Sequence, residues 1–206
     1  MSRILILQKH ISNTKPVIIE AGIHRGEDTK IFQQIWPESR IYGFEPDPRN
    51  IEFITNSDIA NLPGLMFFGF ALSDTVGTTT LYLSDMQNEV WAASSSLNAP
   101  KEHLRHFPQI NFDKQVIVAT TTLDNIIPEC EVIDIIWLDV QGHELNVLKG
   151  GKNTLSRTKL LYLEYYNVEM YEGQPRVKDL MTELGPDWEI VEIWPSELLL
   201  RNKKNN

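Results

Sequence analysis

Residues 16–47 constrain the fold more tightly than any other stretch of the chain. Val17, Ile18 and Ile19 form a short β-branched run without polar interruption, the pattern of a strand buried on both faces, and the run ends in Glu20, Gly22 and Gly26. A helix is expected from Gly26-Glu27-Asp28-Thr29 onward, with Ile31, Phe32 and Ile35 on one face. Residues 40–44 make a second strand ending in Glu45, about 20 residues beyond the turn, where an acid can take both hydroxyls of a ribose. Strand, glycine turn, helix and acid-tipped strand together predict a nucleoside site at the edge of a parallel sheet.

The spacing of the glycines narrows the ligand. The turn reads Glu-x-Gly-x-x-x-Gly, not the G-x-G-x-x-G that brings a helix N-terminus to a dinucleotide pyrophosphate. Glu20, Glu27 and Asp28 flank it and would repel a pyrophosphate, whereas they suit a cofactor carrying an ammonium and a sulfonium, S-adenosyl-L-methionine.

Further apolar runs continue the alternation of strands and helices. Pro46-Asp47-Pro48 predicts a turn and helix start, with a second helix over 50–60. Residues 65–72 read as a third buried strand ending at Ser73-Asp74, 132–140 as a fourth ending at Asp139, and 160–165 as a fifth carrying Glu164. Thr122-Leu123-Asp124 caps a short segment, Leu145, Val147 and Leu148 predict a helix stopped by Gly150-Gly151, and 177–184 a helix closed by Gly185-Pro186. Residues 188–194 form the last expected strand. Such an alternation predicts an α/β, doubly wound, mostly parallel sheet with its ligand at the carboxyl ends of the strands.

One stretch breaks the pattern. Residues 77–84 have β character but follow too closely for a helical crossover, so they are expected to pair antiparallel with 115–121. Between them, residues 85–113 form a polar insertion with Trp91, Ser94-Ser95-Ser96, His103 and His106, expected as a substrate lid. No further ligand completes a zinc pattern around the two histidines, which are expected as a surface or lid pair, and no metal is expected.

At 206 residues the chain is expected to be a single domain, 1–206, with residues 201–206 a flexible tail. Its formal charge of −9 argues against a nucleic-acid partner, and no apolar run is long enough for a membrane span. The apolar start at residues 1–7 is too short for a signal-peptide core, and Cys130 is the single cysteine, so a cytoplasmic setting is expected. Cys130 lies between Glu129 and Glu131, which disfavour a thiolate.

Three residues are candidates for chemistry. Asp139, at the end of a buried run, is expected to project into the same cleft as Gly22 and Glu45. His143 has the ordinary pKa closest to neutrality, suiting it as a general base, with Glu144 or Asp139 to fix its tautomer. Glu164, an acid in an apolar strand, needs a partner or a place at the strand end.

These pieces resemble the FkbM-type S-adenosylmethionine-dependent methyltransferases over residues 17–164. The resemblance rests on Glu20-Ala21-Gly22-Ile23-His24-Arg25-Gly26, Phe44-Glu45-Pro46, Ala71-Leu72-Ser73-Asp74 with Gly77, Ser95-Ser96, Thr122-Leu123-Asp124 and, most specifically, Leu138-Asp139-Val140-Gln141-Gly142-His143-Glu144 with Val147-Leu148-Lys149-Gly150. It implies a seven-stranded, Rossmann-like class I methyltransferase fold and methyl transfer to a hydroxyl of a sugar, glycan or secondary metabolite. On this reading Glu20, Ala21, Gly22, Ile23, His24, Gly26, Asp28, Thr29, Glu45, Pro46, Ser73, Asp74 and Asp139 bind the cofactor. Ser95, Ser96, Gln141 and Glu144 face the acceptor, and Asp139, His143 and Glu164 are catalytic. His24 stands where the family usually has Asn and Gln141 where it usually has Glu, which shifts the catalytic assignment toward Asp139 and His143. An NAD-linked oxidoreductase and a non-catalytic nucleoside-binding module are the competing readings; oligomeric state is not expressed in the sequence.

Overall fold

The computed structural model describes residues 3–86 and 92–205. Strands β1 (Val17–Ala21), β2 (Arg40–Phe44), β3 (Leu65–Phe68), β4 (Ala71–Leu72), β5 (Gly77–Met86), β6 (Ile110–Thr121), β7 (Ile133–Leu138), β8 (Thr158–Glu164), β9 (Trp188–Ile193) and β10 (Glu197–Asn202) form two sheets. The larger has seven strands in the order β3-β2-β1-β7-β8-β10-β9, the smaller three in the order β4-β6-β5. In the larger sheet only β10 runs against its neighbours. The doubly wound sheet is therefore present, with β1 and β7 adjacent at its centre.

The central strands alternate which face they supply. Ile19, Ala21, Ile136, Leu138, Leu161 and Leu163 pack on one side with Leu123, Val147, Leu148 and Leu180 from helices. Ile18, Ile135, Trp137, Leu160 and Tyr162 pack on the other with Phe32, Trp36 and the N-terminal Ile4 and Leu7. Burial on both faces is why these strands read as unbroken apolar runs. Trp137 and Tyr162, cross-strand partners, stack at 3.5 Å between centroids, and Phe32 abuts Trp137 edge-on at 5.5 Å.

Four expectations are corrected. The run 65–72 is two strands, not one: β3 closes the edge of the large sheet, and after Gly69 and Phe70 the short β4 joins the small one. An edge position also leaves β3 half-buried. The helix expected over 50–60 is Pro48–Thr55 followed by a 3-10 turn, Asp58–Asn61, where the Ser57 hydroxyl accepts from the Ile59 N–H. The expected hairpin of 77–84 with 115–121 exists but extends to Met86 and Ile110, so strand takes both ends of the expected lid; Trp91 lies outside the described residues.

The fourth correction is at the C-terminal end. Arg201 and Asn202 belong to β10, where Asn202 is buried, and the Asn205 amide donates to the carbonyls of Ser156 and Thr158. These residues are not a loose tail. Strand β10 was not expected, because Glu197-Leu-Leu-Leu lacks the alternation that marks a half-exposed strand; it sits between β8 and β9 with its leucines buried on both faces. Among the described residues no helix is long and apolar enough to cross a membrane.

Candidate active site

The chain crosses itself most closely just beyond β1. Gly22 has φ of 82°, and its N–H and that of Ile23 donate to the Phe44 carbonyl at 2.9 and 3.2 Å. A Cβ on Gly22 would lie 1.9 Å from the carbonyl oxygen of Asp139. Only glycine allows the ends of β1, β2 and β7 to meet here. His24 follows with φ of 51°, a left-handed position at a non-glycine residue.

Over this crossing lies a cleft with roughly 970 Å³ of empty space including its mouth, the size of a cofactor site. Its wall includes Glu20, Ala21, Gly22, Ile23, His24, Glu27 and Asp28 from β1 and the turn, Phe44, Glu45, Pro46 and Asn50 from the end of β2, and Phe70, Ala71 and Leu72 beside β4. Asp139, Val140, Gln141 and His143 come from the end of β7, Leu81 from β5, and Ala92, Ala93, Ser95 and Leu97 from the insertion.

Carboxyl groups dominate the polar part of that wall. Glu45 is buried; its Oε2 accepts from the His24 N–H at 2.9 Å and its Oε1 from the Asp47 N–H at 2.8 Å. Burial nonetheless pushes its pKa up to about 8. Glu20, also buried, accepts from the Thr29 hydroxyl at 2.8 Å, and desolvation holds its pKa well above the usual range. Burial, then the nearby Asp139, raises Asp28 to about 6. The side-chain oxygen of Asn50 is buried and unpartnered at the same wall.

At the end of β7, Gln141 ties two acids together. Its Nε2 donates to Asp139 Oδ1 at 2.6 Å and to Glu164 Oε2 at 3.0 Å, while its Oε1 accepts from the Tyr171 hydroxyl at 2.8 Å. The Tyr166 hydroxyl donates to the other oxygen of Glu164 at 2.8 Å. Burial raises both acids, and the neighbouring Asp139 carboxyl adds to the effect on Glu164. Asp139 opens onto the cleft; Glu164 stands behind Gln141, outside the wall.

His143 is differently placed from a free base. Its Nδ1 faces Asn98 Oδ1 at 2.7 Å and its Nε2 faces the Ser73 hydroxyl at 3.0 Å. Because an amide oxygen only accepts, the proton resides on Nδ1 and Nε2 accepts from Ser73. Burial lowers the pKa to about 4, so the ring is neutral at physiological pH.

Of the expected site residues, Glu20, Ala21, Gly22, Ile23, His24, Asp28, Glu45, Pro46, Asp139, Ser95, Gln141 and His143 converge on the cleft. The others lie outside its wall and hold it up. Gly26 abuts Ile59, Thr29 binds Glu20, and Ser73 backs His143. Asp74 is exposed beside Ser73; the Ser96 hydroxyl donates to the Gln141 carbonyl at 2.6 Å. Glu144 is buried and accepts from the Gly142 N–H at the start of its own helix. His103 and His106 are not a surface pair: His103 is buried against Phe107, Phe112 and Tyr171, and only His106 is exposed.

Several contributors were not among the expected site residues. Asp47 is fully buried, binds Arg49 through both carboxylate oxygens, and accepts from the Ser95 hydroxyl at 2.9 Å. Arg49 also reaches the Ser84 carbonyl at 3.0 Å, so the end of β2 is fastened to the insertion. Asn98 and Tyr171 lie far along the chain from the residues they orient. The residue type that could have been flagged is Asp47, an acid two positions beyond Glu45.

The buried acids predict an unusual pH response. Between about pH 6.5 and 8, Glu45, at about 8, and Glu144, raised by burial to about 7, keep protons when folded that they lose when unfolded. Folding then binds protons, so stability falls as pH rises, by about 1.4 kcal/mol per pH unit for each extra proton held. His143 and His103, both lowered to about 4, act the other way only below their unfolded value near 6.5. The melting temperature of the ligand-free protein is expected to drop between pH 6.5 and 8; a flat or rising profile would contradict these assignments.

A sheet of this order with a carboxyl-ringed cleft over its strand ends defines a class I methyltransferase. The methyltransferase FkbM domain matches residues 20–190, and the chain belongs to that family. It is 36% identical over 197 residues, 92% of this chain and 80% of the relative, to the 2-O-methyltransferase NoeI of Sinorhizobium fredii. It is 26% identical to the hexuronic acid methyltransferase AglP of Haloferax volcanii, over 82% of this chain and 64% of AglP. Two solved structures share the fold at low identity. One is a putative rRNA methylase from Clostridium thermocellum (10%, TM-score 0.52, covering 95% of this chain and 90% of that one). The other is the fibrillarin/Nop5p complex (13%, TM-score 0.51, 95% and 77%).

Proposed function

We propose that this methyltransferase takes its methyl group from S-adenosyl-L-methionine and delivers it to a hydroxyl of a carbohydrate. The observation that carries the donor is the ring of carboxyl groups at the crossing of β1, β2 and β7, which suits an adenosine bearing positive charge. The residues present fit that group. Gly22 leaves room where any side chain would collide, and Asn50 offers an unpartnered buried oxygen beside Glu45. Glu45 would hold the ribose hydroxyls, Pro46 with Phe70, Ala71 and Leu72 would flank the adenine, and Glu20 and Asp28 would face the ammonium. A dinucleotide fits poorly, since its pyrophosphate would meet Glu20, Glu27 and Asp28.

Bound S-adenosyl-L-methionine supplies an electrophilic methyl group on a sulfonium, already a good leaving group. What remains for the protein is to hold the acceptor oxygen in line, exclude water and accept its proton. Asp139 is the residue that accepts the proton. It opens onto the cleft, its burial makes it a stronger base than an ordinary carboxylate, and the Gln141 amide fixes its orientation. His143, with both ring nitrogens engaged, shapes the wall beside it. The carbohydrate acceptor rests on the names of the two relatives, one a 2-O-methyltransferase and the other acting on a hexuronic acid.

Glu45→Ala tests the donor. Loss of two hydrogen bonds to a carboxylate is expected to cost about 2 kcal/mol or more, roughly a 30-fold rise in Kd for S-adenosylhomocysteine by titration calorimetry. Unchanged affinity would remove Glu45 from the site.

A further inference from the structure

We infer that Asp139 and Glu164 hold one proton between them and that it resides on Glu164, which makes Glu164 a positioning residue that keeps Asp139 ionised; this deepens the proposal above and rests on its assignment of Asp139. The geometry leaves room for one charge only. Gln141 Nε2 lies 2.6 Å from Asp139 Oδ1 and 3.0 Å from Glu164 Oε2, and the two carboxyl groups are themselves within hydrogen-bonding reach. The Tyr171 hydroxyl, on Gln141 Oε1 at 2.8 Å, keeps the NH2 half of that amide toward both acids. An amide supplies a dipole but no charge, and two carboxylates sharing one site do not both ionise without a cation. Among the described residues neither acid forms an ion pair, and cations on adjoining elements are taken: Arg3 by Glu197, Arg49 by Asp47 and Lys101 by Glu169.

The surroundings decide which acid keeps the proton. Glu164 faces acids on three sides: Asp139 after β7, Glu144 on the helix that follows, and Glu197, its cross-strand partner on β10. Its other neighbour is the neutral Tyr166 hydroxyl. Asp139 also feels Glu197 and Asp28, but His24 acts on it to favour the charge. It takes the shorter of the two Gln141 bonds as well, as an ionised acceptor does. Burial, then the Asp139 carboxyl, raises Glu164. Burial raises Asp139 too, while hydrogen bonds from Gln141 and Glu164 pull it back down. Glu164 can donate such a bond only if it carries the proton.

One negative charge suits the reaction. As the acceptor oxygen forms its bond to the methyl carbon and the S–C bond breaks to a neutral thioether, the hydroxyl proton passes to Asp139. The single charge of the pair then vanishes together with that of the sulfonium, so no uncompensated charge is left in the cleft.

The test is a carbon NMR titration of the whole protein, without ligand, labelled at the Asp and Glu side-chain carboxyl carbons. The two signals are identified through their backbone correlations, which keeps the reading valid whether or not a variant folds, and by their loss in Asp139→Asn and Glu164→Gln. At neutral pH Glu164 is expected protonated and Asp139 ionised. In Asp139→Asn the neighbouring charge is gone, and the Glu164 midpoint is expected to fall by about one pH unit or more; a purely structural Glu164 would keep its midpoint. Glu164 ionised at neutral pH, Asp139 protonated there, or a Glu164 midpoint unmoved in Asp139→Asn would each overturn the inference. The expected titration together with full methyl transfer in Asp139→Asn would support the pair and strike the base assignment instead.

Discussion

Gly22→Ala is expected to give a protein that melts far lower and has lost measurable affinity for S-adenosylhomocysteine. Two effects add. A φ of 82° costs a residue with a side chain about 1 to 2 kcal/mol, and the new methyl group would sit 1.9 Å from the Asp139 carbonyl, which is backbone and cannot swing aside. Relief requires β1 and β7 to separate at the centre of the sheet, so a loss of about 4 kcal/mol or more is expected, a large part of a domain's stability. Gly173→Ala provides the control: its φ of 70° is comparable, but nothing lies within 4 Å of its would-be Cβ. Only the strain should register there. If the two variants melt alike, the crossing of strand ends is not as described.

Asp139→Asn separates chemistry from architecture. The amide is nearly isosteric, and its oxygen can still accept from Gln141 Nε2, so the melting temperature and the affinity for S-adenosylhomocysteine should change little. Methyl transfer in a single turnover should fall by about 10²- to 10⁴-fold, the range for removing a positioned general base. Glu164→Gln is expected to fall less, because Glu164 stands outside the cleft wall, behind Gln141. Full activity in Asp139→Asn would refute the role assigned to it, and a loss larger in His143→Ala than in Asp139→Asn would move the base to His143.

What the sequence discloses follows from how strands are buried. Val17-Ile18-Ile19 and residues 135–138 are covered on both faces, so they read as apolar runs, and the acid that ends each, Glu20 within β1 or Asp139 just past β7, marks the ligand side. Glu45 is legible for the same reason. Local pattern cannot show pairings set by the tertiary fold: Gln141 bridges residues 2 and 23 positions away, and Tyr171 reaches it from 30 positions away. Likewise Ser96, legible as a lid residue, turns its hydroxyl to the Gln141 carbonyl from a bridge to Tyr82 of β5, 14 positions away. Strand β10 escaped because a leucine run buried on both faces has no period of two to detect.

The decisive measurement is the structure of the protein with S-adenosylhomocysteine bound. The adenosine is expected over the Gly22 turn with both ribose hydroxyls within about 3 Å of the Glu45 carboxylate, and the sulfur directed toward Asp139. Density for the nucleoside anywhere else, or a ribose turned away from Glu45, would contradict the site described for this methyltransferase.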